Sequence, residues 1–409
     1  MASNPDQTIT IIEKLNGLRS RLSSGGDTHA QSEALQLSRQ LTTSLEKPEN
    51  TAVDLAFSPF LAIAARISVD LGLFKHIIDH DGPITSEKLA YLSGGEELLI
   101  NFDTSLVRVL RPLAAIGFVK EAGERTWEAT PVTEAMATEE IAAGHRMVGE
   151  MIVGAATKAP KWLRETGYRC PTDPHDGLMQ YAFQTKLAVF QLFGSMPPVL
   201  EDFHTFMGNT MGARSYWVDW FPVQERLLDG AEEEEGEEEN EAALMVDVGA
   251  GKGHDLLVFH EKYPGRGRLV LQDLAVVTDA LGYCLDPAIE RMEYDFFTEQ
   301  PVKGARAYFY HHILHDWSDT KCLEILGQVK KAMRPGYSKL LLHEMIIPEQ
   351  GASAFHAMLD MTMMAFNAGM ERSARQWTEL LEMAGLEVVK VWPPLQEDAD
   401  GIVEAMVMA

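Results

Sequence analysis

The sequence predicts an α/β fold: a Rossmann-like parallel sheet ending in an antiparallel strand pair, preceded by a helical and winged-helix-like N-terminal region. Three observations predict it. From residue 242 onward, short apolar runs alternate with amphipathic helical segments, the rhythm of a parallel sheet with crossovers. The first run, residues 243–248, leads straight into a glycine-rich turn. The last two, residues 386–391 and 401–407, are joined by Pro393-Pro394 and a polar connection without a helix. Strands joined in that way pair antiparallel.

The elements follow in order. Residues 1–50 are a polar helical arm, with helical periodicity over 9–22 and 32–45 broken by Ser23-Ser24-Gly25-Gly26. Residues 51–140 carry apolar positions at helical spacing over 61–74. Gly82-Pro83 then precedes an N-cap at Thr85 or Ser86, and a third helix is expected over 104–115. Strand-like runs around Gly117-Phe118-Val119-Lys120 and over 126–130 follow, so three helices and a two-stranded wing describe a winged-helix unit. The most apolar early stretch, residues 55–73, carries Arg66 and Asp70 and is expected to form core helices rather than a membrane span. Residues 141–229 read as a helical connector and substrate cover, with an aromatic cluster over 215–222. Residues 230–241 read as an acidic, mobile loop, and residues 242–409 as the sheet domain. Its further strands are expected over 269–271, 290–294, 307–310 and 339–342, with a helix over 320–333.

Composition narrows the function. The chain has 409 residues, of which 46% are hydrophobic, enough for two to three cored domains. Net charge is −26, and the eight glutamates of residues 232–241 account for the step from −18. Residues 51–140 hold seven Lys/Arg against fourteen Asp/Glu, a net of −7. A winged helix without a basic footprint is not expected to bind nucleic acid; dimerisation or substrate covering suits it better. Three dispersed cysteines, Cys170, Cys284 and Cys322, give neither a disulfide framework nor a metal spacing. No signal-peptide pattern opens the chain, so a reducing, cytoplasmic setting is expected.

The glycine turn Val246-Asp247-Val248-Gly249-Ala250-Gly251-Lys252-Gly253 is the strongest local signal. Glycines after a strand let a ligand approach the backbone. Their spacing is GxGxG rather than GxGxxG, and Asp247 would repel a pyrophosphate but suit an ammonium group. S-adenosylmethionine (SAM) fits this pattern better than a nicotinamide cofactor. Asp273 closes the second strand, where a carboxylate can accept ribose hydroxyls; Asp295-Phe296 follows the third and can meet an adenine. Each alone would read as a loop acid. His311-His312-Ile313-Leu314-His315-Asp316-Trp317 leaves a strand at the ligand-binding edge, which makes metal ligation by its histidines unexpected. Glu344 and Glu371 should reach that edge and could fix one imidazole as a general base.

With these residues in hand, the chain from about residue 50 onward resembles the caffeic-acid-type (class II) SAM-dependent small-molecule O-methyltransferases, particularly their fungal secondary-metabolism branch. The resemblance implies a SAM methyltransferase sheet and a winged-helix dimerisation domain. It further implies that His315 accepts the proton, that Glu344 and Glu371 orient it, and that no metal takes part. Asp247, Gly249, Gly251, Gly253, Asp273, Asp295 and Phe296 would hold SAM, with Trp317 near the adenine. His311, at a position where plant members carry a basic residue, is a further cofactor candidate, and plant members often carry Lys at the position of Met370. The glutamate block has no counterpart. The acceptor is expected to be a phenolic or polyketide-like aromatic, with His145, Trp162, Met361 and Phe366 as candidate contacts, and the enzyme a homodimer. The alternative is a pericyclase of this fold that binds SAM without transferring methyl. An NAD-linked oxidoreductase is disfavoured by GxGxG and the terminal strand pair, and a DNA-binding regulator by charge.

Overall fold

The structure, a computed structural model, describes residues 5–94, 108–207, 216–231, 242–281, 285–395 and 398–409. Residues 232–241 of the acidic loop expected over 230–241, Cys284, and the first part of the helix expected over 104–115 lie outside the described residues. The chain forms two compact units, Met1–Glu134 and Ala135–Ala409.

In the first unit, helices Pro5–Gly17 and Thr28–Leu45 pack through Ile11, Leu18, Ala30 and Leu37. Asp27 caps the second by accepting from the Ala30 N–H at 2.8 Å, the expected use of an N-cap carboxylate. The apolar periodicity over 61–74 is divided between two helices, Pro59–Asp70 and Leu73–Ile78. Gly72, at φ +62°, turns the chain between them. Thr85 caps helix Ser86–Ser93 as expected. Where a two-stranded wing is expected, a small sheet of three strands forms: β1 (Ile84–Thr85), β2 (Lys120–Gly123) and β3 (Thr126–Glu128), in the order β1-β3-β2. The extra strand arises because Ile84 pairs with Trp127, whose indole is fully buried and donates to Ser86 Oγ at 2.9 Å.

One expectation is overturned here. The stretch over 55–73 is not a core segment, since Leu55 is 74% exposed and Phe60 62%. Helices Pro48–Phe57 and Pro59–Asp70 bury mainly the small face of Ala64, Ala65 and Ser68. Apolar periodicity reports that a face needs cover but not what covers it. By length and composition alone Pro48–Asp70 also meets the measure of a membrane span, as single helices of soluble proteins do. It nonetheless carries Glu49, Asp54, Arg66 and Asp70.

The second unit is built on an eight-stranded sheet. Its strands are β4 (Met245–Val248), β5 (Leu269–Asp273), β6 (Ile289–Glu293), β7 (Ala307–His311), β8 (Lys339–Ile347), β9 (Arg372–Ser373), β10 (Glu387–Trp392) and β11 (Asp400–Met406). The order is β10-β11-β8-β7-β4-β5-β6, with β9 beside the end of β8. β10 and β11 are antiparallel, as is β11 to β8, while β4 to β8 run parallel. Both faces of the sheet are buried. On β7, Tyr308 and Tyr310 enter one apolar core while Ala307 and Phe309 enter the other, the period-2 alternation of a strand. A third core, in the helical layer over 139–207, joins helix Ala354–Asn367 through Ala365 and Phe366.

Candidate active site

Strand order sets where a ligand can sit. β5 and β6 lie to one side of β4, and β7 and β8 to the other, so the crossovers part between β4 and β7. A crevice opens at such a switch point, outside the carboxyl ends of the strands. The glycine turn leaves β4 there. Gly249 has φ +74°, the left-handed region that favours glycine, and a Cβ on it would lie 2.5 Å from Ile313 Cδ1, so that side chain of the His311–Trp317 segment would have to shift. Asp273 ties this turn to β5, accepting from the N–H of Gly251 at 2.8 Å and of Leu274 at 2.7 Å.

Several groups around the crevice lack partners. Asp247 is buried, and its Oδ2 has no hydrogen-bond partner among the described residues. Burial, helped by Asp255, pushes its carboxyl well above the usual range. A bound ammonium group would relieve that cost. The His311 Nδ1–H donates to Asp255 Oδ2 at 2.7 Å, and its buried Nε2 is without a partner among the described residues. Burial opposes the charge on His311, but Asp255, Asp400 and Asp247 push its pKa up to about 9. Leu274 and Val276, just beyond Asp273, are exposed apolar residues. Phe296 and Phe297 meet Trp317 edge-on at 5.9 and 4.9 Å. Asp295 folds this corner, accepting from the Phe297 N–H at 3.0 Å. A carboxylate for a ribose, apolar and aromatic walls for a base, and an anionic pocket for an amine fit SAM.

The histidine lies beside this crevice, in the 3-10 turn Leu314–Asp316 after β7. The His315 Nδ1–H donates to Glu371 Oε1 at 2.8 Å. Glu344, from β8, acts differently from the sequence reading. Its Oε1 accepts from the Ile313 and Leu314 N–H groups at 3.2 and 2.9 Å, and its Oε2 stays 3.9 Å from His315 Nδ1. It therefore shapes the turn and acts on the imidazole through charge, not through a hydrogen bond. Asp316 Oδ1 lies 3.7 Å from His315 Nε2. Burial alone would lower the His315 pKa, but Glu371, Glu344 and Asp316 together push it up to about 10. Burial in turn pushes Asp316 up to about 7 and raises Glu344.

The segment after helix Ala354–Asn367 clamps the turn. Met370 N–H donates to His315 O at 2.9 Å, and a Cβ on Gly369 would lie 2.1 Å from that same oxygen. Asp360 accepts from the Glu371 N–H at 2.9 Å. Arg372 is buried, and its guanidinium reaches Leu314 O at 3.1 Å, Trp317 O at 2.9 Å and Asp319 Oδ1 at 2.7 Å.

His315, Glu344 and Glu371 are thus brought together, as are the glycine turn, Asp247, Asp273 and His311. The expected acceptor contacts are more dispersed. Trp162 and Phe366 belong to the helical layer's core, Phe366 packing against Phe190, Phe193 and Phe203. Met361 is 55% exposed on its helix. His145 is half-buried on helix Glu139–Met147. Sequence reasoning missed Asp255, Asp316, Asn367 and Arg372. Asn367 is buried with both amide atoms unpartnered among the described residues. The signals were faint: Asp255 stands two residues past the last glycine of the turn, and Arg372 directly after Glu371. Two His/Asp groups, Asp255-His311-His343 and His311-His312-Asp400, bring ligand-type atoms within 4.8 Å of one another. Each already contains a direct His–Asp hydrogen bond.

A switch-point crevice of this make-up, with a carboxylate-supported histidine beside it, defines a SAM-dependent methyltransferase. The chain belongs to the O-methyltransferase family, whose domain matches residues 239–387. It is 51% identical to the O-methyltransferase penC of Penicillium thymicola, over 98% of this chain and 97% of that one. Among solved structures, LepI in complex with SAM is similar at 29% identity and a TM-score of 0.83, covering 99% of this chain and 100% of that one. A solved pericyclic-reaction enzyme is similar at the same identity and TM-score, covering 98% and 100%. The chain is therefore a SAM-dependent O-methyltransferase of the fungal secondary-metabolism type.

Proposed function

We propose that this enzyme methylates a hydroxyl of a phenolic or polyketide-like aromatic metabolite, with His315 as general base. The observation that carries the reading is the 2.8 Å bond from His315 Nδ1 to Glu371. It directs Nε2 away from the carboxylate, so that in the neutral ring this nitrogen is the proton acceptor. SAM, when bound, supplies an electrophilic methyl group on a sulfonium centre. In this reading Asp247, the Gly249–Gly253 turn, Asp273, Asp295, Phe296, His311 and Trp317 hold it. His315 draws the proton from the acceptor hydroxyl as that oxygen attacks. Asp316 and Asn367 are the polar groups we assign to the acceptor's remaining donors and acceptors, with His145 and Met361 as outer contacts. The buried, water-poor setting of His315 favours a step in which opposite charges are neutralised. A reducing, cytoplasmic setting is part of this reading, supported by the free thiols of Cys170 and Cys322.

A second reading, a pericyclase that binds SAM without transferring methyl, draws on the likeness to the pericyclic-reaction enzyme. The intact His315–Glu371 bond favours transfer, because a rearrangement that moves no proton to a base has no use for it. Isotopically labelled methyl-SAM offered with a panel of phenols and polyketide-like aromatics separates the two. Mass-shifted product is the expected result. SAM binding without label transfer across the panel would favour the pericyclase.

A second copy of the chain is the cover we assign to the exposed helices of the N-terminal unit. Leu55, Phe57, Phe60 and Leu61 line a groove of about 1150 Å³ with Pro112, Ala115 and Ile116. An apolar groove of this extent on an acidic protein invites a protein surface. Sedimentation should report a dimer, and L55E/F60E should shift it to monomer; a monomeric wild type would sink the assignment.

A further inference from the structure

His312 takes no part in the chemistry above, yet its environment is built with care. It holds a left-handed backbone at φ +51°, an uncommon conformation that histidine takes more readily than most non-glycine residues. Its N–H donates to His343 O at 3.1 Å. Its Nε2–H donates to Asp400 Oδ1 at 2.9 Å. Asp400 is buried at the start of β11, opposite Met345 of β8. Burial would lift the Asp400 carboxyl, but His312, His343 and His311 hold it well below the usual range. The His312 ring lies 5.0 Å from that of His315, at an interplanar angle of 24°.

These facts divide the task of fixing the base. The Glu371 hydrogen bond sets where Nδ1 points, but one bond at one ring atom leaves the imidazole plane free to tilt about it. A flat partner against the ring face removes that tilt. Core filling does not account for His312, whose side chain is still 23% exposed. Its neighbour His311 bonds Asp255 instead, so the two adjacent histidines are anchored to separate acids.

We propose that His312, anchored by Asp400, is a positioning residue that holds the plane of the His315 ring so that Nε2 faces the acceptor oxygen. The inference rests on the reading of His315 as the base. Removing the ring should cost rate rather than cofactor affinity, because misplacing a reacting nitrogen slows the chemical step while leaving the glycine turn intact.

The test uses full-length protein labelled with ¹⁵N-histidine and loaded with S-adenosylhomocysteine. The His315 ring signals are assigned by their loss in His315→Ala. Wild type should give one sharp ring state. His312→Ala should broaden and shift the His315 signals, and lower kcat about tenfold for the wild-type methyl acceptor with KM for SAM within twofold. His312→Phe, which keeps a flat ring but loses the Asp400 anchor, should restore part of both. Asp400→Asn, which keeps an acceptor oxygen for His312, should fall between, and it carries the test if His312→Ala does not fold. Unchanged His315 signals and kcat in His312→Ala would overturn the inference. An unchanged kcat in His315→Ala would instead overturn the base assignment, so the two failures are distinguishable.

Discussion

Replacing His315 by alanine should lower kcat for methyl transfer about a hundredfold or more while SAM still binds. General base catalysis by a positioned side chain typically contributes between 10² and 10⁴ in rate, roughly. Loss of the lower figure is expected because the remaining site still aligns the reactants. Orientation alone can supply about 7–11 kcal/mol of a barrier. SAM binding should persist because the groups that fit it, Asp247, Asp273 and the glycine turn, do not hydrogen-bond His315. Isothermal titration with SAM beside product mass spectrometry measures both quantities. Equal rates in variant and wild type would mean that the site works by alignment only.

The electrostatics of the same cluster set a pH dependence with a definite sign. Three carboxylates push the His315 pKa up to about 10 against the effect of burial. The group must be neutral to accept a proton, so in the free enzyme the competent form grows as pH rises toward that value. The profile of kcat/KM should therefore climb from neutral into the alkaline range. A phenolic acceptor, with an unperturbed pKa of about 10, titrates there too, so the informative comparison holds the acceptor constant and changes the enzyme. Glu371→Gln removes the strongest favourable charge. Its rising limb should move to lower pH while its plateau falls, because the amide no longer fixes the imidazole as firmly. A variant profile that overlays wild type would show that His315 does not govern the limb.

The legibility of this molecule follows from which signals are local. The parallel sheet, the antiparallel end and the glycine turn rest on alternation and turn chemistry within short windows, and the observed strands fall where those windows lie. β8 runs on to Ile347, beyond its expected end at residue 342, because β11 pairs with His343, Glu344 and Met345 and β9 with Ile346 and Ile347, partners from far along the chain. His315, Glu344 and Glu371 could be grouped because each lies just past the expected end of a strand or helix at one sheet edge. The division of labour between the two glutamates could not. Whether a carboxylate meets a ring nitrogen or two backbone N–H groups depends on the path of a turn, and no spacing encodes that. The helices over 48–70 misled for a related reason: an apolar stripe looks the same whether its own core or another surface covers it. Arg372 was invisible because a basic residue in a sequence is a solvated residue until the fold buries it.

That buried arginine carries the second large effect. Arg372→Ala should destabilise the catalytic unit by about 3 kcal/mol, on the order of what losing two hydrogen bonds from a charged donor costs, and should also cost activity. The guanidinium bonds the carbonyls of Leu314 and Trp317, on either side of His315 and Asp316. It also lies over the Trp377 ring, 5.0 Å from its centroid. Its acidic partner, Asp319, is largely exposed, so the lost ion pair is not the main term; water can solvate the freed carboxylate. The carbonyls fare worse, because Leu314 is fully buried and Trp317 nearly so, and what remains to them is the Trp317 N–H at 3.2 Å from Leu314 O and the weak Cys322 thiol donor at 3.2 and 3.5 Å. They must lose a bond or pull the turn toward solvent. In the second case His315 moves with them, and a displacement of about 1 Å at a reacting group can cost on the order of a hundredfold in rate. Arg372→Lys discriminates between the two demands. One ammonium can satisfy one carbonyl but cannot reproduce the planar fork that spans both, so stability should recover more than kcat. Thermal unfolding and single-turnover methyl transfer measured on both variants test this ordering. A lysine variant that regains rate and stability in equal proportion would mean that charge, rather than the span across the turn, is what Arg372 supplies.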